Sequence, residues 1–253
     1  MYTTTLLFIF SYMCICYLIC IAKKNNGLVD MFWGMGFVGI ALLNLVYNHS
    51  KDIYSYIFTI LIALWGIRLS VFLGIRNWGK EEDFRYANWR KEWGQTFYWR
   101  TFLHVHMLQG FFMFIIALPI ININQSAIKS THPIILYTSI GIAFIAIAIE
   151  GIADYQKYLF RKNTLDKEAF IQSGLWKYSR HPNYFGEILF WWALFLFASQ
   201  YSNWYISLIS PVVISFLILY VSGIPMLEKK YDDNIAYQAY KKKTSALILW
   251  WNK

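Results

Sequence analysis

The stretch YSRHPNYFGE at residues 178–187 places groups that could do chemistry directly before a long apolar run. Arg180 and His181 precede Pro182, which suits the first turn of a helix because its missing N–H leaves no bond unmade there. The pattern therefore predicts a helix that begins at about His181. The free N–H groups of its first turn, together with Arg180 and His181, predict a cationic rim that could hold a phosphate or another anion.

Two polar residues lie one turn deeper in the same predicted helix. Asn183 and Glu187 are four residues apart and therefore share a face. Polar groups so close to hydrocarbon usually serve a ligand, and the alternative is a polar cap plus a carboxylate paired with a neighbouring helix. Since a glutamate in an apolar setting can act as an acid, Glu187 is a catalytic candidate.

A second polar stripe occurs in the preceding apolar segment. Glu150, Asp154, Lys157 and Arg161 are separated by four, three and four residues, a spacing that places them on one helix face. An exposed ladder of salt bridges is one interpretation. Because Glu150 is surrounded by apolar residues, its carboxylate instead predicts a partner inside a helical bundle.

Ionisable groups also occur in or beside two other apolar segments. Arg68 lies inside one of them, on roughly the same face as Arg76, and it either serves a site or extends its charged end toward the membrane surface. Pro225 is predicted to end or kink the last apolar segment. Glu228 and Tyr231 follow on a basic stretch that could equally lie against anionic lipid headgroups.

Several familiar site patterns are missing from the sequence. Its five histidines are scattered, and His104 and His106, two residues apart, point to different faces of a helix, so no metal site is predicted. No GxxxxGK[ST] occurs, and the one GxGxxG match, GMGFVG at 34–39, lies inside an apolar segment rather than in a loop, so a soluble nucleotide-binding fold is not predicted. The three cysteines all fall in the first apolar segment and predict packing rather than disulfides.

The polar residues named above are expected to lie on or beside membrane helices. Of the 253 residues 58% are hydrophobic and 20% aromatic, and the mean hydropathy is +0.38, values outside the usual range of soluble proteins. We predict an all-α integral membrane protein, a bundle of about seven transmembrane helices in a single membrane domain. The predicted spans are residues 3–22, 31–48, 53–75, 102–121, 133–153, 184–200 and 204–223.

The predicted domain has two parts. Residues 1–121 supply the amino-terminal helices and a substrate cavity, and residues 133–253 form a carboxy-terminal half with the polar cluster. The first apolar segment has no small-residue cleavage site after it, so it is interpreted as a retained anchor rather than a cleaved signal.

Charge placement predicts the orientation in the membrane. The net charge of +9 could suggest a nucleic-acid partner, but all lysines and arginines except Lys51, Lys129 and Arg68 lie in alternate connections or in the tail. The positive-inside rule then places the N-terminus outside and the C-terminus in the cytoplasm, in a bacterial inner membrane or the endoplasmic reticulum. The expected partners are membrane lipids and a lipophilic small molecule, not nucleic acid.

Four segments carry a family resemblance: RNWGKEEDFRY at 76–86, GLWKYSRHPNYFGE at 174–187, SGIPMLEKKY at 222–231 and YQAYKKKTSALI at 237–248. The chain resembles the DUF1295 family of bacterial and protist membrane proteins, related to the carboxy-terminal half of steroid 5-alpha-reductases. The wider superfamily includes sterol reductases, which show N-Y-x-G-[DE], and isoprenylcysteine and phospholipid methyltransferases, which share RHP-x-Y-x-G.

The resemblance implies NADPH as the cofactor and assigns residues to it. Asn183 and Glu187 match the cofactor-side pair of the reductases, and Asp154 with Arg161 match a D-x6-R spacing whose arginine meets the cofactor phosphates. Together with the cationic rim, the predicted cofactor-binding residues are Asp154, Arg161, Tyr178, Arg180, His181, Asn183, Glu187, Glu228 and Tyr231.

The sequence departs from the steroid reductases at two places. A histidine and an arginine that follow their last helix are replaced here by Glu228 and Ile224. Their carbonyl-polarising Glu–Tyr pair has no clear counterpart, and Trp65 stands where the tyrosine would be.

Three functions remain open from the sequence. The first is a membrane-embedded NADPH-dependent reductase of a carbon–carbon double bond in a steroid- or enone-like substrate, with Glu187, Tyr184 and Arg68 stabilising the enolate oxygen. The second is an S-adenosylmethionine-dependent methyltransferase acting on a lipid or a prenylcysteine. The third is a non-enzymatic scaffold or transporter, which would have to explain why charges concentrate at one membrane surface.

Overall fold

The computed structural model describes residues 1–48, 52–126, 132–166 and 168–250. These residues are predominantly helical, and the one β-type pairing among them is an isolated parallel bridge between Ser179 and Ser245. Lys51 and Lys129, which carried part of the predicted charge asymmetry, lie outside the described residues.

The α-helices follow one another in this order: α1 (Tyr2–Ala22), α2 (Phe32–Tyr47), α3 (Ile53–Asn77), α4 (Phe84–Trp93), α5 (Phe97–Thr101), α6 (Leu108–Ile116), α7 (Leu118–Gln125), α8 (Pro133–Asn163), α9 (Pro182–Ala198), α10 (Trp204–Ser207), α11 (Ile209–Phe216), α12 (Ile224–Lys229) and α13 (Ile235–Lys243). Short 3₁₀ turns occur at Asn26–Met31, Gly94–Thr96 and Gly174–Lys177, and π-helical turns occur at Phe102–Met107 and Leu217–Val221.

Several of these helical segments are long and apolar enough to cross a membrane, as expected for a multi-pass membrane protein. Within the described residues five qualify: Tyr2–Ala22, Asn26–Tyr47, Ile53–Asn77, Pro133–Asn163 and Trp204–Lys229. A sixth is possible if Phe84–Ile116 and Leu118–Gln125, which are bent by 44° relative to each other, form one broken span.

Two predicted spans are not among these five: 102–121, which belongs to the bent pair, and 184–200, which corresponds to α9. Helix α9 has 17 residues, about 26 Å at 1.5 Å per residue, which is at the short end of what crosses a bilayer. The number of seven spans stays a prediction. The orientation of the two termini stays a prediction.

The chain divides into two compact units. The amino-terminal unit contains residues 1–129 and 201–207. Its helices α2 and α3 approach closely at two glycines, since a Cβ atom built on Gly34 would lie 2.0 Å from the carbonyl oxygen of Gly66. Small residues allow such backbone contact between membrane helices.

Buried amides join further helices of the amino-terminal unit. Asn44 Nδ2 donates to Thr5 Oγ1 over 3.0 Å, between α2 and α1. Asn48 Nδ2 donates to Ser55 Oγ at 2.9 Å and to Asn124 Oδ1 at 3.1 Å. Since a buried polar group needs a partner inside hydrocarbon, these bonds fix how the helices pair.

The carboxy-terminal unit contains residues 130–200 and 208–253. Its two longest helices, α8 and α9, pack together at Gly186, where a Cβ atom would lie 2.8 Å from the carbonyl oxygen of Ala146. Any larger side chain would separate the two helices, and with them the polar residues that both carry.

The carboxy-terminal unit contains two helix ends that were predicted from the sequence. Helix α9 begins at Pro182 and is preceded by His181, which confirms the predicted start. The prediction for Pro225 was less accurate. The chain bends at Ser222 and Gly223, and Pro225 lies in the first turn of α12, where a proline needs no N–H partner.

Candidate functional site

A buried cluster of charges lies in the carboxy-terminal unit around the carboxylate of Glu228. Its Oε1 atom accepts hydrogen bonds from Arg180 Nε at 2.8 Å and from His181 Nε2 at 3.1 Å. Its Oε2 atom lies 2.8 Å from Lys241 Nζ. Glu228, Arg180 and His181 are each less than a tenth exposed, so the carboxylate balances the guanidinium of Arg180, which could not stay buried alone.

The segment that follows α13 is hydrogen-bonded to Ser179 and Arg180, just before α9. Arg180 Nη1 donates to the carbonyl oxygens of Lys241, at 3.1 Å, and Thr244. The Arg180 backbone N–H donates to the Ser245 carbonyl over 2.9 Å. Ser179 Oγ donates to the Leu247 carbonyl over 2.7 Å. Arg180 therefore connects the start of α9 with the end of α13. The sequence predicted Arg180 only as part of a cationic rim and did not predict this structural role.

His181 has a defined tautomer in this cluster. An ionised carboxylate can only accept hydrogen bonds, so Nε2 carries the hydrogen that points to Glu228. Its Nδ1 atom is buried and has no hydrogen-bonding partner among the described residues. Burial lowers the pKa of His181, although the bond to Glu228 opposes that shift. The imidazole is stacked on the ring of Tyr184, with centroids 5.6 Å apart.

Asp154 and Asn183 meet between α8 and α9. Asn183 Nδ2 donates to Asp154 Oδ1 over 3.2 Å. Asp154 and Glu150, one turn earlier, are both buried, whereas Arg161 at the other end of the stripe is exposed. The predicted polar face of α8 therefore runs from the interior of the helix packing to the surface, which excludes the fully exposed ladder.

Arg161 meets an aromatic surface near the end of α8. Its Nη2 atom donates to the Tyr231 hydroxyl over 3.0 Å. The Tyr231 ring is stacked on Tyr237 with centroids 4.6 Å apart, and Phe170 lies edge-on 4.9 Å from Tyr237. This surface combines an exposed cation with flat rings and comes from three separate parts of the sequence.

Glu187 and Tyr178 lie at the two ends of the motif. Glu187 is partly buried and accepts a hydrogen bond over 3.2 Å from Trp191 Nε1, one turn further along α9. Tyr178 is also partly buried, and its carbonyl oxygen accepts from the Trp250 N–H at 3.2 Å. The Trp191 indole therefore orients the Glu187 carboxyl. The Tyr178 backbone instead binds the segment that follows α13.

The structure brings the predicted residues of the carboxy-terminal unit into three groups. These are Asp154 with Asn183, Arg161 with Tyr231, and Glu228 with Arg180, His181 and the adjacent Tyr184. Arg68 is partly buried on α3 of the amino-terminal unit, and its catalytic role stays a prediction.

Sequence reasoning missed two contributors to this unit. Lys241 is the first of three consecutive lysines, and nothing in the run indicates which one reaches Glu228. Gln156 Oε1 accepts from the Leu175 N–H at 2.9 Å, beside Gly174 at φ +63°. Gly174 could have indicated a tight turn at this point of the sequence, because a backbone with positive φ favours glycine.

The motifs described above lie inside one family match. A family model described as a protein of unknown function, DUF1295, matches residues 16–244. The chain belongs to the DUF1295 family. This confirms the family predicted from the four sequence segments, and the matched range includes both the Glu228 cluster and the Asp154–Asn183 pair of this DUF1295 protein. Searches of curated proteins and of solved structures returned no match.

Proposed function

We propose that this DUF1295 protein is a membrane-embedded, NADPH-dependent reductase of a carbon–carbon double bond in a lipophilic, steroid- or enone-like substrate. One observation carries the proposal: the bonds Asn183–Asp154 and Arg161–Tyr231 both lie along the same helix, α8. The four residues come from distant parts of the chain, and the likeness to steroid 5-alpha-reductases implies Asn183, Asp154 and Arg161 on the cofactor side.

The donor set around Arg161 suits the phosphate groups of a dinucleotide. A guanidinium presents its donors in a planar fork that matches phosphate oxygens. Lys162 is the next residue on α8, and the ammonium of Lys230 lies 5.5 Å from the centre of the Tyr231 ring. The Tyr231 ring beside these cations is only partly buried and can also support a flat ring by stacking.

Asn183 is suited to hold the carboxamide of a nicotinamide. Because the Asp154 carboxylate only accepts, it fixes the Asn183 side chain with its NH₂ group toward Asp154. The amide oxygen then points to the opposite side, where it can accept from an N–H donor. Asp154 thus acts as a positioning residue, and its burial makes that orientation costly to change.

NADPH supplies a hydride when it is bound. The chain itself must hold the substrate carbonyl and stabilise the negative charge that develops on its oxygen. Glu187 in its protonated form and Tyr184 are the proposed donors from α9. The Trp191 indole holds the Glu187 carboxyl in place, so Glu187 is the first of these donors to test.

The deciding experiment compares two cofactors on the purified protein in mild detergent. NADPH and S-adenosylmethionine are titrated separately while the thermal midpoint is followed, since a ligand that binds the folded state raises it by mass action. Saturable stabilisation by NADPH supports the reductase. Stabilisation by S-adenosylmethionine alone would assign the site to a methyltransferase, and no effect of either would contradict both.

Two variants test the assigned residues. Arg161→Ala removes charged hydrogen bonds and should weaken NADPH binding about tenfold or more, whereas Asn183→Ala removes neutral ones and should weaken it about fivefold. Asn163→Ala is the matched control, because Asn163 is an exposed neighbour on α8 that lies outside the proposed donor set. Unchanged affinity in both test variants would show that the site is wrongly placed even if NADPH binds.

A further inference from the structure

The amino-terminal unit contains a π-helical turn that the proposed reductase does not use. It spans Phe102–Met107, between α5 and α6. The π-helix is rare, and short π-helical turns inside α-helices are often found at functional sites. This turn places His106 completely inside the protein, while His104, two residues earlier, stays exposed.

The imidazole of His106 has one satisfied and one unsatisfied nitrogen. Nδ1 lies 3.3 Å from the carbonyl oxygen of Thr101. A carbonyl can only accept, so Nδ1 carries the hydrogen and Nε2 presents a lone pair. Nε2 is buried and has no hydrogen-bonding partner among the described residues. A buried acceptor in this state is costly, and its chemical complement is a hydrogen-bond donor.

The surroundings of His106 are aromatic and apolar. The ring of Tyr17 on α1 lies edge-on, with its centroid 5.2 Å from the imidazole, and the Phe102 ring lies 5.2 Å from Tyr17. Buried Val105 and Cys20 belong to the apolar core beside it. A charged donor would be poorly tolerated here, so the donor that fits is a neutral one on a lipophilic molecule.

The outer side of this site faces the region that lipid would occupy. Ile15 and Leu18 on α1 are 56% and 64% exposed, and Leu103 in the π-helical turn is 48% exposed. Tyr17 lies between Ile15 and Leu18 in the sequence and is itself partly exposed, and its hydroxyl donates to the carbonyl of Tyr98 at the exposed surface. Because its ring also contacts His106, Tyr17 is a side chain that reaches from the buried imidazole to the surface.

We propose that His106 is the polar contact of a binding site for a lipophilic alcohol. The hydroxyl of that molecule donates a hydrogen bond to Nε2, and its hydrocarbon part packs beside Tyr17 and Phe102. A sterol and a linear prenyl alcohol share this chemistry. The site belongs to the amino-terminal unit and requires no cofactor, so it can be tested whether or not the reductase proposal holds.

The probes are cholesterol and farnesol, each compared with its own methyl ether, which lacks the donor hydrogen. The full chain is labelled with ¹⁵N-histidine in detergent, and both binding and the imidazole nitrogen resonances are measured. We expect one alcohol to bind about three- to tenfold more tightly than its ether, the size of one net hydrogen bond. That alcohol should also shift the His106 Nε2 resonance, and the responding probe separates a sterol site from a prenol site.

Two variants complete the test. His106→Phe should abolish the preference for the alcohol over the ether, and the matched control His104→Phe should retain it. Equal binding of alcohol and ether, or a preference that survives His106→Phe, would overturn the proposal. An unmoved Nε2 resonance would do the same. If His106→Phe does not fold, the resonance of the parent protein decides.

Discussion

The charge cluster around Glu228 gives the most quantitative prediction. Glu228→Gln keeps the size of the side chain but removes the negative charge that balances the buried guanidinium of Arg180. Breaking a buried ion pair by losing one partner costs about 3–5 kcal/mol. We expect the lower end, about 3 kcal/mol, because Arg180 keeps its two carbonyl acceptors and Lys241 is 40% exposed.

The assay is unfolding in mild detergent, followed by intrinsic tryptophan fluorescence. For a chain of this length, a loss of about 3 kcal/mol corresponds to a fall of about 6–12 °C in the thermal midpoint. Glu168→Gln is the matched control. Glu168 pairs with Lys230 at 3.8 Å on the surface, where its side chain is 65% exposed, so its loss should change stability by less than about 0.5 kcal/mol.

A double-mutant cycle would identify the origin of the effect. Arg180→Met and Glu228→Met should each destabilise the protein, but the double variant should cost less than their sum by at least about 1 kcal/mol, because neither charge is then left unpaired. A change below about 1 kcal/mol in Glu228→Gln, or additive costs in the cycle, would refute the conclusion that this carboxylate holds the cluster together.

Two further predictions concern packing and protonation. Gly186→Ala should destabilise the protein by about 1–3 kcal/mol, because the new Cβ atom would meet the backbone of Ala146. Gly141→Ala is the control and should be neutral or stabilising, because there is open space at Gly141. Equal thermal midpoints in the two variants would contradict this prediction. Burial lowers the pKa of His181 in the folded protein, although the bond to Glu228 opposes that shift. The stability that neutral His181 contributes is therefore complete above the unfolded-state pKa of about 6.5 and is lost as the pH falls through the lower folded-state pKa. The thermal midpoint should therefore fall on acidification in the parent and fall less in His181→Phe, and identical slopes would show that His181 is not the titrating group.

Local sequence patterns predicted much of the fold because they depend on near neighbours. The apolar segments gave the helices α1 and α3 to within about two residues, since a span needs a continuous hydrophobic run. Pro182 marked the start of α9 because a proline fits the first helical turn. The three cysteines are free thiols in α1, in agreement with the absence of a disulfide pattern.

The number of spans was harder to predict because hydropathy contains no information about helix direction. The 44° bend at Ala117 lies inside an apolar run, next to Pro119 in the first turn of α7, and hydropathy does not register the effect of such a proline. Helix α9 ends at Ala198, where the apolar run gives way to Ser199 and Gln200.

The helical membrane character, the DUF1295 family and the polar residues at the helix ends were all predictable, because these properties follow from composition, hydrophobic period and motif. Which of these residues meet depends on how the helices pack. Glu228 is 48 residues from Arg180 along the chain yet bonds it directly. The packing also buries His106 rather than His104, although the sequence predicted only that the two lie on different faces. Such contacts arise from how helices pack, which no single segment encodes.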